Sequence, residues 1–121
     1  MRNFRDLDVW KNSVLFVKEI YKITEAFPSN EKYGLTSQIS RCAVSIPSNI
    51  AEGCSRNSQK DFSRFLQISL GSAFELETQI EIIKELNFIS HEKYLDVLAE
   101  LHVIQRRIQA LKKYVETQTT P

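Results

Sequence analysis

Two histidines have the widest chemical use in this sequence, because a neutral imidazole binds metals and transfers protons near pH 7. His91 and His102 lie eleven residues apart in one segment with helical periodicity. On a helix they would be about 16 Å apart, too far to share a metal ion. No zinc-ligand spacing, phosphate-binding glycine loop or evident Ser/His/Asp set is present. We therefore expect no enzyme, no metal and no cofactor, although a site assembled between subunits stays open.

The two cysteines, Cys42 and Cys54, favour a reducing compartment. They are twelve residues apart in one predicted helix, or about 18 Å, and cannot form a disulfide within it. We expect both to be small buried side chains. The opening residues lack the apolar core of a signal peptide, and no apolar run approaches the ~20 residues of a membrane span. These features predict a cytoplasmic protein with no membrane partner.

Basic residues provide the main candidate site, although the formal net charge is only +1. They concentrate near the ends of three predicted helices that would meet at one end of an antiparallel bundle. The set comprises Arg56, Lys60, Arg64, Arg106, Arg107, Lys112 and Lys113. It predicts a surface for nucleic-acid phosphates or for an acidic partner. The competing interpretation is that lysine and arginine on the last helix only balance its macrodipole.

A second candidate surface is a polar row on the second predicted helix. Its residues are Gln38, Arg41, Ser45, Asn49 and Glu52. They predict a polar binding face or an ordered contact between subunits. The alternative is a solvated helix face.

The hydrophobic pattern places these residues on four helices, at 8–26, 30–53, 59–87 and 91–116, within one domain of 1–121. The fourth helix has the most regular apolar stripe: Tyr94, Val97, Leu101, Ile104, Ile108, Leu111 and Val115. Ser29 or Asn30 would cap the second helix, and Gly53 would end it. Short connections make sequential helices antiparallel. We predict an all-α, up-down-up-down, left-handed four-helix bundle.

The third predicted helix has a thin middle. Its stripe is Phe62, Leu66, Ser69, Ala73, Leu76, Ile80, Ile83 and Asn87, in the 4-3 alternation of left-handed packing. Ser69, Gly71, Ser72 and Ala73 make this middle thin. A glycine inside a helix costs roughly 1 kcal/mol against alanine. We expect a neighbouring helix to approach closely there.

The first helix has two adjacent apolar stripes, one more than an isolated bundle requires. The second stripe is Trp10, Val14, Val17 and Tyr21. Exposed together, these side chains would form a patch that soluble monomers rarely carry. They predict a homo-oligomer interface. The alternative is a broad core within one subunit.

Several stretches of the sequence resemble the 23S rRNA intervening-sequence protein family of bacterial four-helix bundle proteins. The matching stretches are 4–10, 33–41, 45–53, 65–73 and 75–77, of which Ser45-Ile46-Pro47-Ser48-Asn49-Ile50-Ala51-Glu52-Gly53 is the most specific. One position departs from the pattern. Ser40 stands where the family often has a basic residue, so that only Arg41 remains before the specific segment, and this lowers the positive charge expected there.

The resemblance implies a four-helix bundle that assembles as a homopentamer. Some members are encoded within insertions in 23S rRNA genes, and related members accompany reverse transcriptases and bind nucleic acid. We therefore expect a non-enzymatic oligomer that binds RNA or a ribonucleoprotein such as the ribosome. A nucleic-acid enzyme is a further possible partner. The rival hypothesis is a homo-oligomeric scaffold that binds a protein partner and no nucleic acid.

Overall fold

The computed structural model describes residues 2–118, which form a four-helix bundle. A 3₁₀ turn at Phe4–Asp6 precedes helix α1, Asp8–Thr24. A second 3₁₀ turn, Ser29–Glu31, leads to α2, Leu35–Cys54. Helices α3, Gln59–Glu85, and α4, His91–Thr117, follow. No strand occurs among the described residues, so the predicted all-α bundle is confirmed.

Serine caps fix where the two longest helices begin. The Ser58 hydroxyl accepts from the backbone N–H of Asp61 at 3.0 Å, and the Ser90 hydroxyl accepts from that of Lys93 at 3.1 Å. Each cap satisfies one of the N–H groups that a helix start leaves without an intrahelical acceptor. The starts of α3 and α4 therefore fall where the sequence places them.

Helix α2 begins at Leu35, so its predicted start at residue 30 is wrong. Ser29 and Asn30 instead enter a 3₁₀ turn, and Gly34 follows with φ −103° and ψ −107°, outside the helical region. The predicted end is also displaced. Gly53 lies inside α2, which closes at Cys54.

The ends of α1 and α3 are earlier than predicted. Helix α1 stops at Thr24 rather than residue 26, and the Thr24 hydroxyl donates to the Tyr21 carbonyl at 3.0 Å. Helix α3 stops at Glu85 because Asn87 adopts φ 60°. The Phe88 N–H then donates to the Ile83 carbonyl at 2.9 Å, which forms a Schellman motif. Asn87 is exposed and is not part of the core stripe.

Each helix packs against two neighbours, α1 and α3 both contacting α2 and α4. Ser69 of α3 donates to the Ile46 carbonyl at 2.8 Å, and Cys42 donates to the Ser72 carbonyl at 3.1 Å. The later α3 residue pairs with the earlier α2 residue, so these two helices run antiparallel. The left-handed sense stays a prediction.

The core is formed by the predicted apolar stripes. Its large, almost fully buried side chains include Ile20, Ile39, Ile46, Leu66, Leu76, Leu101 and Ile108. The thin middle of α3 contacts α2 through Ser69, Ser72 and Ala73. Gly71 is exposed, and a Cβ there would meet no atom within 4 Å. The expected close approach therefore occurs through Ser69 and Ser72, whereas Gly71 itself points away from the neighbouring helix.

Candidate nucleic-acid interface

The N-terminal arm, the α2–α3 connection and the last turns of α4 meet at one end of the bundle. The Arg2 N–H donates to the Cys54 carbonyl at 3.3 Å. The Ser63 hydroxyl donates to the Glu116 carboxylate at 3.2 Å, which links the start of α3 to the end of α4. We define the basic end by its cationic side chains: Arg2, Arg5, Arg56, Lys60, Arg64, Lys112 and Lys113.

Three of these cations form ion pairs within their own segment of chain. Arg56 lies 3.6 Å from Glu52, and Arg64 lies 3.5 Å from Asp61. Lys112 pairs with Glu116 and holds the pKa of that carboxyl below its usual range. Exposed pairs of this kind contribute little to stability, because solvent screens the attraction. Their cations can therefore be redirected to a stronger anion at small cost.

Lys60, Arg106 and Lys113 are exposed and form no ion pair with any residue between 2 and 118. An unpaired exposed cation is surrounded by solvent and counterions. Contact with a phosphate releases the counterions, which is the main source of sequence-independent affinity for nucleic acid.

Arg106 and Arg107 lie off the basic end, so the predicted set of seven is too broad as one surface. Both precede Thr117, the last residue of α4, by about ten residues, which is about 15 Å along a helix. Their side chains also leave the helix about 100° apart. The Asn12 side chain of α1 is oriented so that its amide nitrogen donates to the Asp8 carbonyl. Its amide oxygen then accepts from the Arg107 guanidinium at 2.6 Å. Arg107 therefore faces α1.

Aromatic rings hold several guanidinium groups in place. Those of Arg56 and Arg64 each lie 4.6 Å from the ring centroid of buried Phe65. The Arg2 guanidinium lies 5.6 Å from the Phe62 ring and 5.4 Å from the Tyr114 ring. Cation–aromatic contacts of this kind restrict the side chains without neutralising their charge. The basic end thus presents partly ordered cations.

The predicted polar row on α2 divides between packing and solvent. Ser45 shares a hydroxyl hydrogen bond of 2.8 Å with Ser72, and the Asn49 amide donates to the Ser45 carbonyl at 2.8 Å. Ser45 therefore belongs to the α2–α3 contact, and Asn49 is half-buried and bonds to Ser45 within α2. Gln38 and Arg41 remain exposed and line a shallow cleft of about 290 Å³. Glu52 is the partner of Arg56 described above.

The second apolar stripe of α1 is also divided. Trp10 and Val17 are partly buried against the core, and the Trp10 ring lies 4.9 Å from that of Phe4. Val14 and Tyr21 are 40% and 49% exposed. The surface available to a second subunit is therefore narrower than the predicted stripe.

Neither histidine belongs to a group of side chains that could bind a metal ion, within the part of the chain that the structure describes. His102 Nε2 lies 3.3 Å from the Glu77 carboxylate, which also accepts from the Gln105 amide at 2.8 Å. The hydrogen bond from Gln105, followed by the contact with His102, holds the pKa of Glu77 below its usual range. Residues 2–118 contain no group of three metal-ligating side chains.

No helix within residues 2–118 is long and apolar enough to cross a membrane.

Sequence reasoning missed the role of Tyr114 and the Glu77–Gln105–His102 network. Tyr114 is 52% exposed beside Lys113 and within reach of Arg2. An aromatic residue next to basic residues near a helix end was the available signal. The network joins two helices, and its residues are far apart in sequence, so spacing alone gives no signal for it.

Fold and site together define a small four-helix bundle with a basic end. The family model for the 23S rRNA-intervening sequence protein matches residues 5–110. The chain belongs to that family, which confirms the resemblance of the sequence stretches described above.

A solved structure supports the same assignment. This chain is similar to a protein with unknown function from the S23 ribosomal protein family of Bacteroides thetaiotaomicron VPI-5482, whose crystal structure was determined at 1.70 Å. The two share 26% sequence identity with a TM-score of 0.80, over 87% of this chain and 95% of the other. No curated protein matches this chain.

Proposed function

We propose that this chain is a non-enzymatic, oligomeric protein that binds RNA or a ribonucleoprotein through its basic end. The observation that carries the proposal is the convergence of Arg2, Arg56, Lys60 and Lys113 from separate segments on one end of the bundle. The family is named for the intervening sequence of 23S rRNA, which supports RNA as the nucleic acid and motivates our proposal of ribosome association.

The chemistry of the basic end suits phosphates more than base edges. Its cations lie on the N-terminal arm and near the ends of helices. They would contact the phosphate backbone of the nucleic acid without reading its base sequence. With a formal net charge of +1, a single subunit would bind weakly. Several copies in one assembly would multiply a weak contact through avidity.

Matched charge variants test the proposal. The triple variant Arg5→Gln, Lys60→Gln, Lys113→Gln removes three exposed cations of the basic end that form no ion pair among residues 2–118. The control variant Lys18→Gln, Lys22→Gln, Lys32→Gln removes equal charge from exposed positions outside the basic end.

Binding to a fluorescent structured RNA is measured by anisotropy at low ionic strength. We expect the first variant to lose at least tenfold in affinity and the control to lose much less. Equal losses would show that only net charge matters and would refute a localised interface.

We further propose that the subunits form a homopentamer, for which Val14, Tyr21 and Val44 supply an exposed apolar patch on α1 and α2. Val44 is 40% exposed and lines a cavity with Tyr21. Light scattering at micromolar concentration should give five times the chain mass of 14.0 kDa. A mass of one chain would refute assembly.

A scaffold that binds a protein partner is the second candidate function. It is favoured by a cavity of about 450 Å³ between α1 and α4, lined by Leu15, Phe16, Val103 and Ile104 among others. Leu15 is 66% exposed there. A nuclease-insensitive pull-down with one stoichiometric protein partner, together with no RNA binding, would favour the scaffold.

The proposal assigns the chain no catalysis, no metal and no cofactor, and it places the chain in the cytoplasm. Free thiols at Cys42 and Cys54 are compatible with that compartment. A bound metabolite in the purified protein would contradict the non-enzymatic assignment.

A further inference from the structure

A cavity of about 310 Å³ opens at the basic end, beside the connection between α2 and α3. Arg2, Arg56, Asn57, Ser58 and Gln59 contribute to its lining, and the Phe62 ring contributes an apolar wall. The cavity therefore combines two guanidinium groups with hydroxyl and amide side chains. None of the five polar residues carries a negative charge.

Arg2 reaches this cavity from the N-terminal arm. Its backbone N–H donates to the Cys54 carbonyl. Its guanidinium lies 5.6 Å from the centroid of the Phe62 ring and 5.4 Å from that of the Tyr114 ring. It forms no ion pair with the residues that the structure describes. Its charge is thus held at the cavity without an acidic partner in that part of the chain.

Arg56 is the second arginine that lines the cavity. Its Nε is buried and has no hydrogen-bond acceptor among residues 2–118, while its Nη2 lies 3.6 Å from Glu52 Oε1. A buried donor without an acceptor carries an uncompensated desolvation cost. An anion in the adjoining cavity would supply the missing acceptor.

The first turn of α3 adds to this arrangement. Ser58 caps only the N–H of Asp61, so helix geometry leaves the N–H groups of Gln59 and Lys60 without intrahelical acceptors. The helix dipole also favours negative charge at this end. These amides supplement the two guanidinium groups and do not define the site by themselves.

We propose that this cavity binds a phosphoryl group of nucleic acid, held by Arg2 and Arg56 and by the polar groups of residues 57–59. The inference rests on the proposed function in that the phosphoryl group would belong to RNA. It names a discrete pocket within an otherwise diffuse basic surface. The phosphoryl group could be internal to the strand or at its 5′ end, and the two sources differ in charge and in reach.

The test is a titration of deuterated, ¹⁵N-labelled protein with inorganic phosphate, with chloride used to hold ionic strength constant. We expect saturable shifts confined to the amides of residues 57–60 and their neighbours. The variant Arg2→Gln, Arg56→Gln should weaken phosphate binding at least tenfold, and the control Lys18→Gln, Lys22→Gln should not. Shifts that do not saturate, or that persist unchanged in the arginine variant, would overturn the pocket. If either variant folds poorly, the titration of the native protein still tests the pocket, because it shows whether the shifts saturate and where they occur.

Two RNA arms identify the source of the phosphoryl group. Oligonucleotides of one sequence, with a 5′ phosphate or a 5′ hydroxyl, are compared in their affinity for the native protein. Several-fold tighter binding of the phosphorylated strand assigns the pocket to strand ends. Equal affinities with competition by inorganic phosphate assign it to the internal backbone.

The same experiments separate this inference from the proposed function. Saturable phosphate binding without any RNA binding would support the pocket and refute the RNA function. RNA binding that is equally strong in the arginine variant and in its control would refute the pocket and leave the RNA function standing. A tighter response to an acidic peptide than to phosphate would assign the cavity to a protein partner and overturn the inference.

Discussion

Gly53→Ala tests how closely α2 must approach α3 for the basic end to form. A Cβ at Gly53 would lie 2.8 Å from Phe62 Cδ1 and 3.0 Å from Phe65 Cβ. Carbon atoms pack best at about 3.5–4.0 Å, so both contacts are too short. Phe62 and Phe65 are buried, and a Cβ atom moves only with its own backbone. The helices must therefore separate, which would also move Arg56, three residues further along the chain.

The expected magnitude is the difference between two opposing effects. Overpacking of a close contact costs about 1–3 kcal/mol. Replacing glycine inside a helix with alanine returns about 1 kcal/mol. We expect Gly53→Ala to lower the free energy of unfolding by about 1 kcal/mol net.

Gly71→Ala is the matched control, because its new methyl group would meet open space in the middle of α3. It should raise the free energy of unfolding by about 1 kcal/mol. Urea unfolding followed by circular dichroism, at one protein concentration, measures both variants through the midpoint at constant slope. A Gly53→Ala protein as stable as the native chain, or two variants that shift in the same direction, would refute the packing argument.

Three further predictions concern acid stability, thiol reactivity and assembly. The folded pKa of Glu77 is lowered below the ordinary value of about 4.3, so its stabilising contribution is present above that value and lost as pH falls through the folded pKa. Urea unfolding should show native protein more stable than Glu77→Gln by up to about 1 kcal/mol at pH 7, and an undiminished difference at pH 3 would contradict this. Burial raises the pKa of Cys42 to about 12 and also raises that of Cys54, so neither thiol should react with an aromatic disulfide at pH 8 until urea is added. Fast labelling of the folded chain would be inconsistent with buried thiols. Val14→Lys should give soluble monomers in sedimentation, whereas Val17→Lys should lower stability by about 1–2 kcal/mol; a Val14→Lys protein that still assembles would exclude that residue from the interface.

The arrangement of four helices follows from the apolar stripes because burial is decided by periodicity. The burial of the α4 stripe from Tyr94 to Val115 could be predicted without knowing which helices pack against it. Most of its side chains are indeed buried, and α4 packs against α1 and α3. Helix ends were harder to predict. Ser29 and Asn30 are suitable caps by type, but backbone geometry at Gly34 delays the helix to Leu35. Asn87 fits a heptad by spacing, but its positive φ ends α3 first.

The candidate site was predictable in charge and less so in geometry. Helix polarity and chain order suffice to bring Arg56, Lys60 and Lys113 to one end. Spacing along α4 could not show that Arg107 turns towards Asn12 of α1. The hydroxyl of Ser45 resembles a surface group in sequence, but in the structure it bonds to Ser72 across the α2–α3 contact. Such pairings depend on the neighbouring helix and are not encoded in the local pattern.

The affinity of the native protein for a structured RNA, measured across a range of salt concentrations, tests the central proposal most directly. Each phosphate neutralised by a basic side chain should add about 0.7–0.9 to the negative slope of log affinity against log salt. An assembly that engages several basic ends should therefore bind at low ionic strength and lose affinity steeply as salt rises, with a slope of about −3 or steeper. Assembled protein that fails to bind RNA even at low ionic strength, or that binds with a slope near zero, would contradict the account.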